Sequence, residues 1–173
     1  MMTIDEVPLD WCFRPGVKLD FRKMPDGHVV TAQEVEDELA RIGHEFQPFD
    51  IVLVNPRASE CYGAEEYLTA GAGMGREATL YLTERGVRLT GIDAWGWDAP
   101  FSHTRERWLE TKDPSIIWEG HYAGITRRIA IWRNSSTWKS CREMDSRCRA
   151  SRARLRTRRQ GGRGRWLCLI KLE

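Results

Sequence analysis

Hydrophobic and polar positions alternate over residues 17–21, where Lys18 and Asp20 separate Val17, Leu19 and Phe21. That period of two predicts a half-buried strand. Thr31 and Glu34 then stand at the spacing of a capping box. In such a box the threonine oxygen accepts from the Glu34 amide while the glutamate reaches back. Behind them Val35, Leu39 and Ile42 share one helical face, and Gly43 supplies a stop. Residues 51–54, Ile-Val-Leu-Val, are apolar throughout, as in a strand covered on both faces. Asn55 and Pro56 predict its end.

Residues 57–75 are rich in glycine and alanine and predict a loop with a short helix near 64–68. Residues 76–85 predict a helix with Ala78, Tyr81 and Leu82 inward and Gly86 just past its end. Residues 87–92 predict a third strand, which runs straight into Asp93, Trp95, Trp97 and Asp98. Residues 104–110 predict a helical turn that stops before Asp113 and Pro114. A second apolar run, Ile116-Ile-Trp118, leads to His121, which lies between Gly120 and Gly124. From about Thr126 neither period is visible, and the arginine-crowded residues 147–165 read as a disordered polycation. The pattern predicts an α/β domain over residues 1–125 and a basic tail over 126–173.

Composition narrows the class. A chain of 173 residues with 41% hydrophobic and 30% charged positions can build one domain with a proper core. No window holds the eighteen apolar residues of a membrane span, and the first residues lack the basic and apolar regions of a secretion signal. The 5 cysteines form no CxxC pair, which predicts a reducing, cytoplasmic setting and no structural zinc knot.

The net charge of +2 conceals a sharp division. Residues 1–126 carry 12 basic and 22 acidic side chains, a balance of 12 − 22 = −10, and residues 127–173 carry 15 and 3, a balance of 15 − 3 = +12. A basic tail of this kind often binds nucleic acid. Against that reading, only Trp132, Trp138 and Trp166 interleave with the basic residues, and no nucleic-acid-binding module is visible.

Candidate chemistry gathers where the third strand ends. Carboxylates and aromatics at the C-terminal end of a strand stand where a ligand can reach them. Asp93 and Asp98 fit pocket carboxylates, and equally caps or turn formers. Trp95 and Trp97 fit the walls of an aromatic-binding pocket, and equally covers for a core edge or an oligomer contact. His121 taken alone is most simply a surface or core histidine.

Several stretches together carry a resemblance. They are Thr3-Ile-Asp-Glu-Val-Pro-Leu-Asp10, residues 42–54, residues 62–67, residues 86–93 and Glu119-Gly-His-Tyr-Ala-Gly124. Over residues 3–125 the sequence resembles the metal-dependent cyclase family, which includes kynurenine formamidase (arylformamidase) and isatin hydrolase. The resemblance implies a swivelling β/β/α fold, incomplete here, and a dimeric or tetrameric homo-oligomer. It also implies a divalent metal, zinc or manganese, that activates water to open a small-molecule amide or lactam. Within it His121 corresponds to a metal ligand, while Asp93, Trp95, Trp97 and Asp98 stay the substrate-binding candidates that the residues themselves offer.

The family's signature, H-x-G-T-H-x-D-x-P-x-H, normally precedes the segment that resembles residues 3–10, and here the chain starts after it. His28, His44, His103 and His121 cannot rebuild it. A glutamate ligand is also expected about a dozen residues after His121, where this chain has Arg133. Codon arithmetic accounts for that residue. If the tail is read one nucleotide out of frame, Lys139 after Trp138 becomes glutamate and Asp145 after Met144 becomes glycine. Arg133 after Trp132 becomes glutamate or alanine. Permitted choices elsewhere restore family-like blocks across the tail. The expectation is therefore a metal-dependent hydrolase whose present chain is an inactive fragment, binding no metal, with a frameshifted tail. A non-catalytic pseudoenzyme or scaffold is the alternative.

Overall fold

The computed structural model describes residues 6–127 and 129–133, together with the backbone of later strands at residues 148–149, 152–155 and 168–171. β1 (Pro15–Phe21) is followed by β2 (Val29–Val30), α1 (Ala32–Ile42), β3 (Ile51–Pro56) and β4 (Gly73–Met74). Then come α2 (Arg76–Glu84), β5 (Leu89–Ile92), α3 (Phe101–Thr111), α4 (Glu119–Arg127) and β6 (Ala130–Arg133). The main sheet runs β6-β5-β3-β1 with every pair parallel. β7 (Cys148–Arg149) joins its β1 edge antiparallel. β2 and β4 make a small separate parallel pair, and β8 (Arg152–Leu155) pairs antiparallel with β9 (Cys168–Lys171).

Parallel neighbours require crossover connections, and the helices supply them. α1 links β1 to β3, α2 links β3 to β5, and α3 with α4 links β5 to β6. α2 packs against both α1 and α4, so these three form one layer.

The period-two reading of β1 holds, since Val17, Leu19 and Phe21 are buried while Lys18 and Asp20 are only partly so. The α1 start is the expected reciprocal capping box of Thr31 and Glu34, and Gly43 closes the helix at φ 66°. β3 is buried on both faces for a visible reason. Val52 and Val54 join the large core with Val17, Leu19, Val35, Leu39, Ala78 and Leu82. Ile51 and Leu53 join a smaller cluster with Cys12 and Leu89 on the other face.

Several boundaries differ from the sequence reading. β3 continues through Asn55 and Pro56, which pair with Asp20 and Phe21 of β1. The β5 ladder stops at the Val54–Ile92 pair, so the N–H that Pro56 lacks is not required there. The helical turn expected at residues 104–110 is part of the longer α3. The α/β body also does not stop at residue 125, because β6 pairs with β5 from Ala130 to Arg133. Ile129 and Ile131 pack on the large core and Ala130 on the small one. The strand is thus apolar on both faces, and charged neighbours hide its pattern. Of the tail expected to be disordered, residues 148–149, 152–155 and 168–171 are the strands β7, β8 and β9, and most of the rest lies outside the described residues.

Candidate active site

The candidate residues are placed by the chain that leaves β5. Asp93 directly follows the strand and is 1% exposed, with its N–H donating to the Val54 carbonyl at 3.1 Å. Its charge adds to the burial that pushes the Tyr67 hydroxyl up to about 12. Trp97, expected at a pocket wall, is instead fully buried in the large core. Its indole N–H donates to Thr79 Oγ1 at 2.9 Å, and its carbonyl accepts from the Met74 N–H at 2.7 Å. The physical reason is that a buried indole nitrogen needs an acceptor, and α2 offers one.

Anchored by Trp97, the chain presents Asp98 to the start of α4. Asp98 Oδ1 accepts from the Gly120 N–H at 2.6 Å, and Oδ2 meets His121 Nδ1. The two glycines nearby are needed for this approach. A Cβ on Gly73 would lie 2.0 Å from the Ala99 nitrogen and the Asp98 carbonyl carbon, and one on Gly120 would lie 2.4 Å from the Met74 carbonyl oxygen. His121 sits in the first turn of α4.

Asp98 and His121 line a cavity of about 520 Å³ whose other walls include Trp95, Phe101, Thr104 and Trp118. Trp118 holds φ 57°, a left-handed conformation uncommon for a bulky residue, and its ring centroid is 6.1 Å from that of His121. Of the residues singled out from sequence, Trp95, Asp98 and His121 meet at this cavity, while Asp93 and Trp97 do not line it. Phe101, Thr104 and Trp118 were missed. The only signal for Trp118 was the apolar run it ends.

The other histidines are engaged elsewhere. His28 Nε2 meets Glu34 at 2.8 Å, and His103 Nε2 donates to the Thr69 carbonyl at 3.0 Å. His44 Nε2 meets Asp50 at 2.9 Å beside a larger cavity of about 860 Å³ at the opposite, N-terminal end of the sheet. There the Gln47 N–H also binds Asp50, so the pair ties the end of α1 to the start of β3. Among the described residues no three His, Cys, Asp or Glu side chains are grouped to hold a metal ion. Asp98 and His121 alone do not make a metal site.

A sequence model of the cyclase family, described as "Putative cyclase", matches residues 1–99 of the 173. This chain belongs to the cyclase family. The fold agrees. An isatin hydrolase bound to the product analogue thioisatinate is similar at a TM-score of 0.63 and 14% identity, over 83% of this chain and 53% of that one. A protein described as a potential metal-dependent hydrolase with cyclase activity gives 0.60 and 18%, over 88% and 62%. A predicted metal-dependent hydrolase from Bacillus stearothermophilus gives 0.56 and 18%, over 82% and 56%. The cyclase-family chain thus spans about half the length of these solved relatives. No curated protein matches it by sequence. No helix among the described residues is long and apolar enough to cross a membrane.

Proposed function

We propose that this chain is a piece of a metal-dependent hydrolase that opens an amide or lactam bond in a small aromatic substrate. The observation that carries the reading is the Asp98–His121 pair at an aromatic-walled cavity beyond the C-terminal end of β5. Parallel α/β sheets commonly bind ligands at that edge. Trp95, Phe101 and Trp118 offer flat faces to a ring, and His121 offers a nitrogen to a polar group beside it.

The register adds support. Position 133 ends β6 level with Ile92, one residue before Asp93, so a glutamate there would belong to the same sheet edge. In this proposal the upstream histidine-rich motif and that glutamate complete a zinc or manganese site. The metal supplies an activated water when bound. The parent is a cytoplasmic homo-oligomer, and the chain as written is a frameshifted fragment. The second reading is a non-catalytic member of the family, in which the described residues bring no three metal-binding donors together. The gene sequence separates these, because damage leaves the missing codons legible upstream and in the shifted frame.

The test is an assay of N-formylkynurenine and isatin with Zn²⁺ or Mn²⁺. The chain as written gives no turnover. The repaired protein, with the upstream motif restored and the tail shifted by one nucleotide, turns over at least one of them at roughly 1 per second or faster. A repaired, folded, metal-loaded protein inert on both amide and lactam substrates would overturn the assignment.

A further inference from the structure

We infer that Asp98 is a positioning residue that holds the His121 imidazole in its Nδ1–H tautomer and leaves the Nε2 lone pair for the cavity. The sequence offered Asp98 as a substrate-binding carboxylate; the geometry gives it another task. One carboxylate oxygen is taken by the Gly120 N–H at 2.6 Å and the other by His121 Nδ1. An ionised carboxylate only accepts hydrogen bonds, so the ring nitrogen that faces it must carry the proton. In a neutral ring the other nitrogen is then bare. Nε2 has no hydrogen-bond partner among the described residues, while the ring itself lines the cavity.

Asp98 is fixed before it fixes the histidine. Its side chain is 10% exposed. The residue before it is locked by the Trp97–Thr79 and Trp97–Met74 hydrogen bonds, and Gly73 leaves no space for its backbone to retreat. The Gly120 bond stops the carboxylate from rotating and satisfies an N–H in the first turn of α4, which has no acceptor inside its own helix. One side chain therefore orients both the helix start and the imidazole it bears. A carboxylate behind a histidine is the usual way to aim its free nitrogen at a metal or a reacting proton. The purpose of the arrangement rests on the hydrolase reading; the tautomer does not.

The experiment is long-range ¹H–¹⁵N correlation on the histidine-labelled 173-residue chain at about pH 8, where an ordinary imidazole is neutral. His121→Gln assigns the signal. The wild type should show the Nδ1–H pattern for His121. Asp98→Asn keeps an oxygen for the Gly120 N–H but turns an amide N–H₂ toward the ring. Nδ1 must then accept, and the pattern should change to Nε2–H, with His28, His44 and His103 unchanged. A wild-type spectrum of Nε2–H or of a rapid mixture overturns the inference, and so does a folded Asp98→Asn variant whose His121 pattern is unaltered. If that variant does not fold, the wild-type spectrum decides alone. A wrong hydrolase assignment would fail the turnover assay and leave these spectra as expected.

Discussion

Trp97 donates its indole N–H to Thr79 Oγ1 at 2.9 Å inside the core, whereas Trp95, two residues earlier, is 57% exposed at the cavity. The pair predicts a division of labour. Trp97→Ala should cost about 3–5 kcal/mol, the usual loss for a large buried aromatic. Trp95→Ala should change stability by no more than about 0.5 kcal/mol while weakening the binding of a flat aromatic ligand. Urea denaturation and ligand-induced fluorescence quenching on the two variants provide the check. Similar stability losses in both would show that the indoles have been assigned to the wrong sides.

Gly73→Ala and Gly120→Ala should each destabilise the protein by about 1–3 kcal/mol, as overpacking does. The added methyl would meet backbone atoms, not a flexible side-chain tip. The Gly120 variant should also disturb the His121 ring signal, because the glycine lies against Asp98. Thermal melts and the histidine spectrum report both effects, and a Gly120→Ala protein of native stability would contradict the packing described.

Acid should unfold the chain through a few named carboxylates. The Arg22 guanidinium holds Asp20 below its usual range, and Arg57 does the same for Asp26. Burial would raise Glu34, but hydrogen bonds from Thr31 and His28 outweigh it and the net direction is down. A carboxyl lowered in the folded state contributes stability above its unfolded value, and that contribution is lost as pH falls through the folded one. Stability should therefore decline below about pH 4.5. Glu34→Gln should be less stable at neutral pH and lose less on acidification, and parallel wild-type and variant melts down the pH series would reveal the opposite if the ion network contributes nothing.

Metal affinity should follow ligand count. By isothermal titration the chain as written should bind Zn²⁺ weakly or not at all, since its described residues bring no three donors together. In the repaired protein His121→Ala should weaken binding at least tenfold, about 1.4 kcal/mol or more. Equal affinity with and without His121 would remove it from the site.

Sequence alone determined what is local and periodic. The alternation of β1, the reciprocal cap of α1 and the double-sided burial of β3 all follow from neighbours a few residues apart, and the structure keeps them. The family was legible for a related reason, because the resemblance rests on short contiguous strings between residues 3 and 125, and the family model matches residues 1–99. Tertiary structure decided the rest. Trp95 and Trp97 occupy an irregular stretch with no period to assign a face, and only the acceptor on α2 turns one of them inward. Asp98 and His121 are 23 residues apart in sequence, with α3 between them, so no local rule could say that they touch. β6 shows the converse, since its apolar run between charged residues reads as a strand only once the sheet supplies a partner on one side and cores on both faces. Pairing and burial are cooperative properties of the assembled chain, and a window of sequence contains neither.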